Sequence, residues 1–246
     1  MQAIGIVKSV CRFPVKSMGG ERIDEAFASY AGLVGDRAFA LFGEERSTNR
    51  SGLTARQLPG LLSYAVRYAA GVLPAGEAHP EITAQMVEIV APDGQVIAPD
   101  DALLERLRVE FDCDAHIRRS ERGMVDAFPL SMISMQTIDV LSEECGLSLD
   151  PLRFRANFYV AWDKVNAAFF EDELVGRELM IGEEVVLRIS KRDSRCKIIS
   201  LDPTTTEENR DVLKTVAQGH EGCAGVYAVV LREGVVRSGD AVCLMP

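Results

Sequence analysis

One cysteine stands in a setting suited to chemistry. Cys196 lies in Lys191-Arg192-Asp193-Ser194-Arg195-Cys196-Lys197, with four cationic side chains within six positions. Positive charge nearby favours thiolate over thiol, and a thiolate is both a nucleophile and a ligand for thiophilic metals. The same segment reads equally well as a structural cysteine beside a solvated basic loop. Phe13-Pro14-Val15-Lys16-Ser17 and Gly35-Asp36-Arg37 each offer a cation next to a turn, and the first adds a hydroxyl. Such groups can hold phosphate, Lys as a point charge and Arg as a fork, although each segment alone could be an ordinary surface turn. Arg56, Arg153 and Arg155 supply further cations. Strand alternation through Arg153-Phe154-Arg155-Ala156-Asn157 would put Arg153, Arg155 and Asn157 on one face. Ser134, at the expected start of a helix, is either an anion-binding hydroxyl at a positive dipole end or simply a cap. Glu171-Asp172-Glu173 reads as an exposed turn.

A zinc site is a weaker option. Cys113 and His116 could join His220 and Cys223 in a two-cysteine, two-histidine set, but the pairs are far apart and the usual spacing is missing. No P-loop, G-x-G-x-x-G or G-x-S-x-G motif occurs, so the common nucleotide and hydrolase signatures are absent.

The elements that must position these residues are short. The chain has 246 residues, 47% hydrophobic and 26% charged, as expected of a globular protein. Ile4–Arg12, Ile23–Tyr30, Arg37–Phe42, Tyr64–Tyr68 and Met86–Ala91 read as strands in the first half, with a Gly/Pro-rich loop at Gly71–Pro80. Phe158–Trp162, Glu184–Ser190, Lys197–Leu201, Tyr227–Arg232 and Ala241–Leu244 read as strands in the second. Three helices are expected. The first covers Asp101–Glu110 behind Asp100. The second covers Met135–Cys145 between Ser134 and Gly146. The third covers Glu207–Gln218, opened by a capping box at Thr205-Thr206-Glu207-Glu208 and closed by Gly219. Many short strands with few helices predict a mainly β (α+β) fold built on a curled sheet or barrel. The polar stretch Asp112–Arg122 suggests two domains, 1–115 and 116–246.

The net charge is −10, which argues against a nucleic-acid polymer as partner. A cationic pocket in so acidic a chain suits a small anion instead. The six cysteines follow no close-spaced framework, and Met1–Val10 has no basic region ahead of an apolar stretch. Reduced thiols and a cytoplasmic protein without a membrane span are therefore expected.

Taken together, these segments resemble the MOSC (molybdenum cofactor sulfurase C-terminal) family, in the form that carries an N-terminal β-rich domain. The resemblance rests on Phe13–Ser17, Gly32–Arg37, Leu53–Pro59, Arg153–Asn157, Ala168–Asp172, Ser194-Arg195-Cys196 with Leu201-Asp202-Pro203, and Gly234–Asp240. Their order and spacing, more than any one of them, carry it. The chain is similar to the mitochondrial amidoxime-reducing component and its bacterial counterparts, which bind a molybdenum cofactor and reduce N-hydroxylated compounds. The resemblance implies a MOSC β-barrel, with Cys196 as the catalytic thiolate and protein ligand to molybdenum. Lys16, Ser17, Arg37, Ser134, Arg155, Asn157 and Arg195 would hold the pterin and its phosphate, and Tyr227 would line the same pocket. It implies reduction of a small N-hydroxylated or N-oxide substrate by oxygen-atom transfer. With no cysteine-rich tail for an iron–sulfur cluster, a separate electron-transfer protein or reductase is expected to feed it. The rival implication is a cofactor carrier or sulfur-relay protein, working with a separate pyridoxal-phosphate-dependent desulfurase.

Overall fold

The computed structural model describes residues 2–43, 52–73, 76–164 and 167–246. Pro74 and Ala75, in the loop expected at 71–80, lie outside these residues. The first half runs through β1 (Gln2–Arg12), β2 (Glu21–Ile23), β3 (Glu25–Ser29), β4 (Gly32–Leu33), β5 (Phe39–Gly43), β6 (Ala65–Tyr68), β7 (Val87–Val90) and β8 (Val96–Ile97). Helix α1 (Asp101–Phe111) and β9 (Ala115–Arg119) follow. The second half holds β10 (Leu130–Ser134), α2 (Met135–Cys145), β11 (Phe158–Trp162), α3 (Phe170–Glu173), β12 (Glu178–Ile181) and β13 (Val185–Ser194). It ends with α4 (Arg210–Gly219), β14 (Cys223–Arg232), β15 (Gly234–Arg237) and β16 (Ala241–Leu244).

Seven strands close a barrel in the order β11-β10-β14-β13-β12-β16-β1, and β1 returns to β11. Only the β10–β11 pair among them is parallel. Strand β1, from the chain's first residues, thus seals a barrel otherwise built from residues 130–244. It can do so because its pairing register shifts between Val7 and Ser9, a bulge that turns both Val7 and Val10 into the core. This shift is why its sequence alternates only loosely. Conversely, β15 pairs with β3 outside the barrel, and the polar stretch around 115–119 forms β9 against β5. A small sheet, β6-β7-β8, packs with α1 around Leu61, Tyr64, Ile89, Leu103 and Leu107. A further apolar cluster, including Ile138, Leu141, Val212 and Val216, joins α2 and α4 to the barrel's flank.

Helices α1 and α2 follow their caps. The Asp100 side chain accepts from Ala102 N, and the Ser134 side chain accepts from Thr137 N, while Gly146 ends α2 in the left-handed conformation. Two expectations fail locally. Helix α4 starts at Arg210 with Asn209 as its cap, not at Glu207. Asp202 N donates to Glu207 O, and a bridge joins Leu201 to Glu208, which holds 207–208 extended and leaves the capping box unused. Lys197–Ser200 is a turn of 3-10 helix, not a strand, although it buries Ile199. A short apolar run fits either conformation. No helix among the described residues is long and apolar enough to cross a membrane.

Candidate functional site

The barrel's end nearest Cys196 opens into a cleft of about 770 Å³, counted out to its mouth. Lys16, Ser17, Arg37, Arg155, Asn157, Arg195, Cys196 and Tyr227 all line it. Five separate stretches of chain are needed to bring them together. Ser17 (φ 68°), Arg37 (φ 50°) and Arg155 (φ 50°) all adopt the left-handed backbone conformation. Each such non-glycine residue costs on the order of 1–2 kcal/mol, and strain of this kind collects at binding sites.

A buried hydrogen-bond frame holds these loops. The Asp36 carboxylate accepts from Phe13 N (2.8 Å) and Asn157 Nδ2 (3.1 Å) and pairs with Arg37. The other end of the Asn157 amide accepts from Ser131 N at 3.1 Å. Arg37 Nη2 donates to the Arg155 carbonyl at 2.9 Å. Asn157 and Arg37 are therefore spent largely on positioning the strained turns.

Arg155 and Arg195 are in a different state. Arg155 Nη1 donates to Met18 O at 2.6 Å, and its side chain lies over the Phe13 ring. Arg195 donates to Ala224 O (2.7 Å) and Phe154 O (2.9 Å) and pairs with Asp193 at 2.9 Å. In both guanidiniums Nη2 is buried and has no partner. Burial first, and then the neighbouring Arg37 guanidinium, push the Arg155 pKa down to about 9. A buried cation with an unsatisfied donor is stabilised by an anion, and two of them line one cleft. The residues present thus fit a phosphate-bearing group, and Cys196 supplies a thiol at the same cleft.

Gly225 keeps Arg195 in place. Its φ is +75°, and a Cβ there would stand 2.6 Å from Met132 O and 3.2 Å from Arg195 Nη2. Gly225→Ala is expected to cost about 1–3 kcal/mol, read as a lowered Tm with Arg195 displaced. An unchanged Tm would show that β14 has room there.

Cys196 is exposed at the start of the 3-10 turn. The cations flanking it in sequence mostly have partners: Arg195 has Asp193, Arg192 has Asp172 and Glu221, and Lys197 has Glu208. Lys191 lies over the Phe128 and Tyr227 rings, which stack on each other. Cys11 is the opposite case, fully buried, with its pKa raised to about 11 by burial. At pH 8 only about 0.1% of Cys11 would be thiolate. A thiol reagent should therefore label Cys196 in the folded protein and leave Cys11 intact until unfolding. Equal labelling rates would contradict this placement.

Several sequence candidates fall elsewhere. Ser134 is fully buried outside the cleft, where its hydroxyl caps α2 and bonds Thr137 Oγ1 at 2.9 Å. The plain cap is its role here. Arg153 leaves the face of Arg155 and Asn157 because 151–154 form a 3-10 turn, not a strand; it pairs with Asp202 at 2.7 Å. Glu171, expected in an exposed turn, is fully buried and accepts from Ser134 N, Thr137 Oγ1 and Trp162 Nε1. His116 stacks on Phe42, and His220 bonds Glu144 and stacks on Phe169. Among the described residues no three His, Cys, Asp or Glu side chains gather to hold a metal, so the zinc set does not assemble. Thr54, Asp126, Phe128, Ser131, Phe154 and Asp193 also line the cleft and had not been singled out. Thr54 and Phe154 lie inside the motifs of the resemblance, whereas nothing in the sequence around Ser131 or Asp126 marks them.

Residues 119–243 match the MOSC domain, and residues 4–100 match the MOSC N-terminal beta barrel domain. The chain belongs to the MOSC family. MOSC domains are associated with the molybdenum cofactor. Solved structures similar to this MOSC protein include the YUAD protein from Bacillus subtilis, 13% identical over 97% of this chain and 93% of that one, TM-score 0.47. YiiM from Geobacillus stearothermophilus is 18% identical over 48% of this chain, TM-score 0.39. The match spans 55% of that YiiM chain. No curated protein matches the MOSC chain.

Proposed function

We propose that this MOSC protein binds a molybdenum cofactor in the cleft, with Cys196 as the protein ligand to the metal, and reduces N-hydroxylated or N-oxide compounds. The observation that carries the reading is the pair of guanidiniums, Arg155 and Arg195, which line the cleft with Cys196 and each keep a buried Nη2 without a hydrogen-bond partner. These guanidiniums would hold the cofactor phosphate. Lys16 and Ser17 would contact the pterin beside them, and Arg37 and Asn157 would fix the turns from behind. When bound, the cofactor supplies the two-electron chemistry that removes oxygen from an N–O bond. The protein's own share is to anchor the anionic end and to present one thiolate. Electrons would come from a separate electron-transfer protein in the cytoplasm.

The test is turnover. The cofactor-loaded protein, given a one-electron chemical donor and an N-hydroxylated amidine, should yield the amidine. The exposure of Cys196 favours one second reading, a cofactor carrier or sulfur relay fed by a pyridoxal-phosphate desulfurase. Loaded protein that turns over no N–O substrate, but gains a persulfide on Cys196 from such a desulfurase, would replace the reductase with the carrier.

A further inference from the structure

Reduction of an N-hydroxylated compound must take up protons as well as electrons. In R–NH–OH + 2 e⁻ + 2 H⁺ → R–NH₂ + H₂O the N–O bond breaks, nitrogen gains the electron pair, and the oxygen leaves as water. A one-electron donor working twice supplies the electrons, so a proton-bearing group in the cleft has a defined task. Among the described residues two carboxylates line it. Asp126 is largely exposed and paired with Lys16 at 2.6 Å, so it exchanges with solvent. Asp193 is only 3% exposed. It lies near enough to the Tyr227 hydroxyl for the two to shift each other's titration, and it pairs with Arg195 at 2.9 Å.

We propose that Asp193 and Tyr227 are the proton-delivery pair of this cleft, an inference that rests on the reductase reading above. Tyr227 stacks on Phe128 in the cleft wall, and the buried Asp193, three residues before Cys196, lines the same cleft. Burial holds the Asp193 carboxyl above the usual carboxylate range, although Arg195, Tyr227, Arg37 and Lys191 all face it and pull the other way. Burial and Asp193 itself push the Tyr227 hydroxyl upward, so it passes a proton on without resting as phenolate. Asp126 adds a smaller push on Tyr227 in the same direction.

Two measurements decide it. The first is the pH profile of N-hydroxyamidine reduction per bound molybdenum, with a chemical one-electron donor. The wild-type rate should fall as pH rises through the Asp193 pKa. Asp193→Asn should lose that limb and slow kcat by about 10²-fold with little change in KM. Tyr227→Phe should slow it similarly while leaving the carboxyl in place. The second is a carbon-13 NMR titration of the protein without cofactor, with the Asp193 signal assigned by its loss in Asp193→Asn. That carboxyl should titrate above about 3.9 and move higher in Tyr227→Phe, which removes a hydroxyl that favours the charged form. Active wild type whose Asp193→Asn variant keeps the same rate and profile overturns the proton pair and leaves the reductase standing. Loaded wild type that reduces no N–O substrate overturns both. An Asp193 carboxyl titrating at or below the ordinary value overturns the pair whatever the turnover.

Discussion

Cys196→Ser is expected to purify folded, with a Tm within about 2 °C of the cofactor-free wild type, and without molybdenum. The fold should survive because Cys196 is exposed and no core cluster includes it, and surface substitutions of this kind cost within about 0.5 kcal/mol. The metal should go because serine replaces a soft thiolate with a hydroxyl that stays protonated at neutral pH, and no other cysteine among the described residues lines the cleft. N–O reduction should fall by at least about 10²-fold, while Arg155 and Arg195 keep some affinity for metal-free pterin. Metal content equal to wild type in this variant would remove Cys196 from the metal and leave the anion site untouched.

The second large effect is on the frame. Glu171→Ala is expected to destabilise the protein by about 3–5 kcal/mol, which for a chain of this size is a Tm drop of about 6–20 °C. One Glu171 oxygen accepts from Ser134 N at 3.0 Å and Thr137 Oγ1 at 2.9 Å, and the other accepts from Trp162 Nε1 at 3.0 Å. The carboxylate so joins the first turn of α2 to the end of β11 in a fully buried place, and sits at the positive end of the helix. Alanine leaves three buried donors without an acceptor. Glu171→Gln preserves the shape and one good acceptor and should lose about half as much. A fall of less than 1 kcal/mol for alanine would mean that water replaces the carboxylate.

Glu171 also shows where the sequence misleads. Three acidic residues in a row look like solvated surface, and nothing local says that the first turns inward to meet a tryptophan nine residues back and a helix start. Ser134, expected to hold the pterin, lies buried outside the cleft for the same reason. Its helix was legible to the residue, from Ser134 through Gly146, but whether its hydroxyl faces a cleft or the protein interior depends on tertiary packing. Strand alternation does not carry Arg153 to the face of Arg155, because 151–154 form a 3-10 turn that Asp150 caps. Strand β10 went unread since it is buried along its whole length and so lacks the two-residue period that marks a half-exposed strand. The cleft itself was more legible. Lys16, Arg37, Arg155 and Arg195 are cations beside turns in an acidic chain, and charge alone suggested one anionic ligand. That two of them keep a nitrogen unpartnered while Arg37 spends its guanidinium on Asp36 and a carbonyl is visible only in three dimensions.

The most direct test of the cofactor reading is the molybdenum and released pterin content of the wild-type protein, purified from a host that makes the cofactor. The account predicts about one molybdenum and one pterin per chain, both lost when Arg155 and Arg195 are replaced together by methionine. A well-folded wild-type protein from that host carrying neither would contradict it.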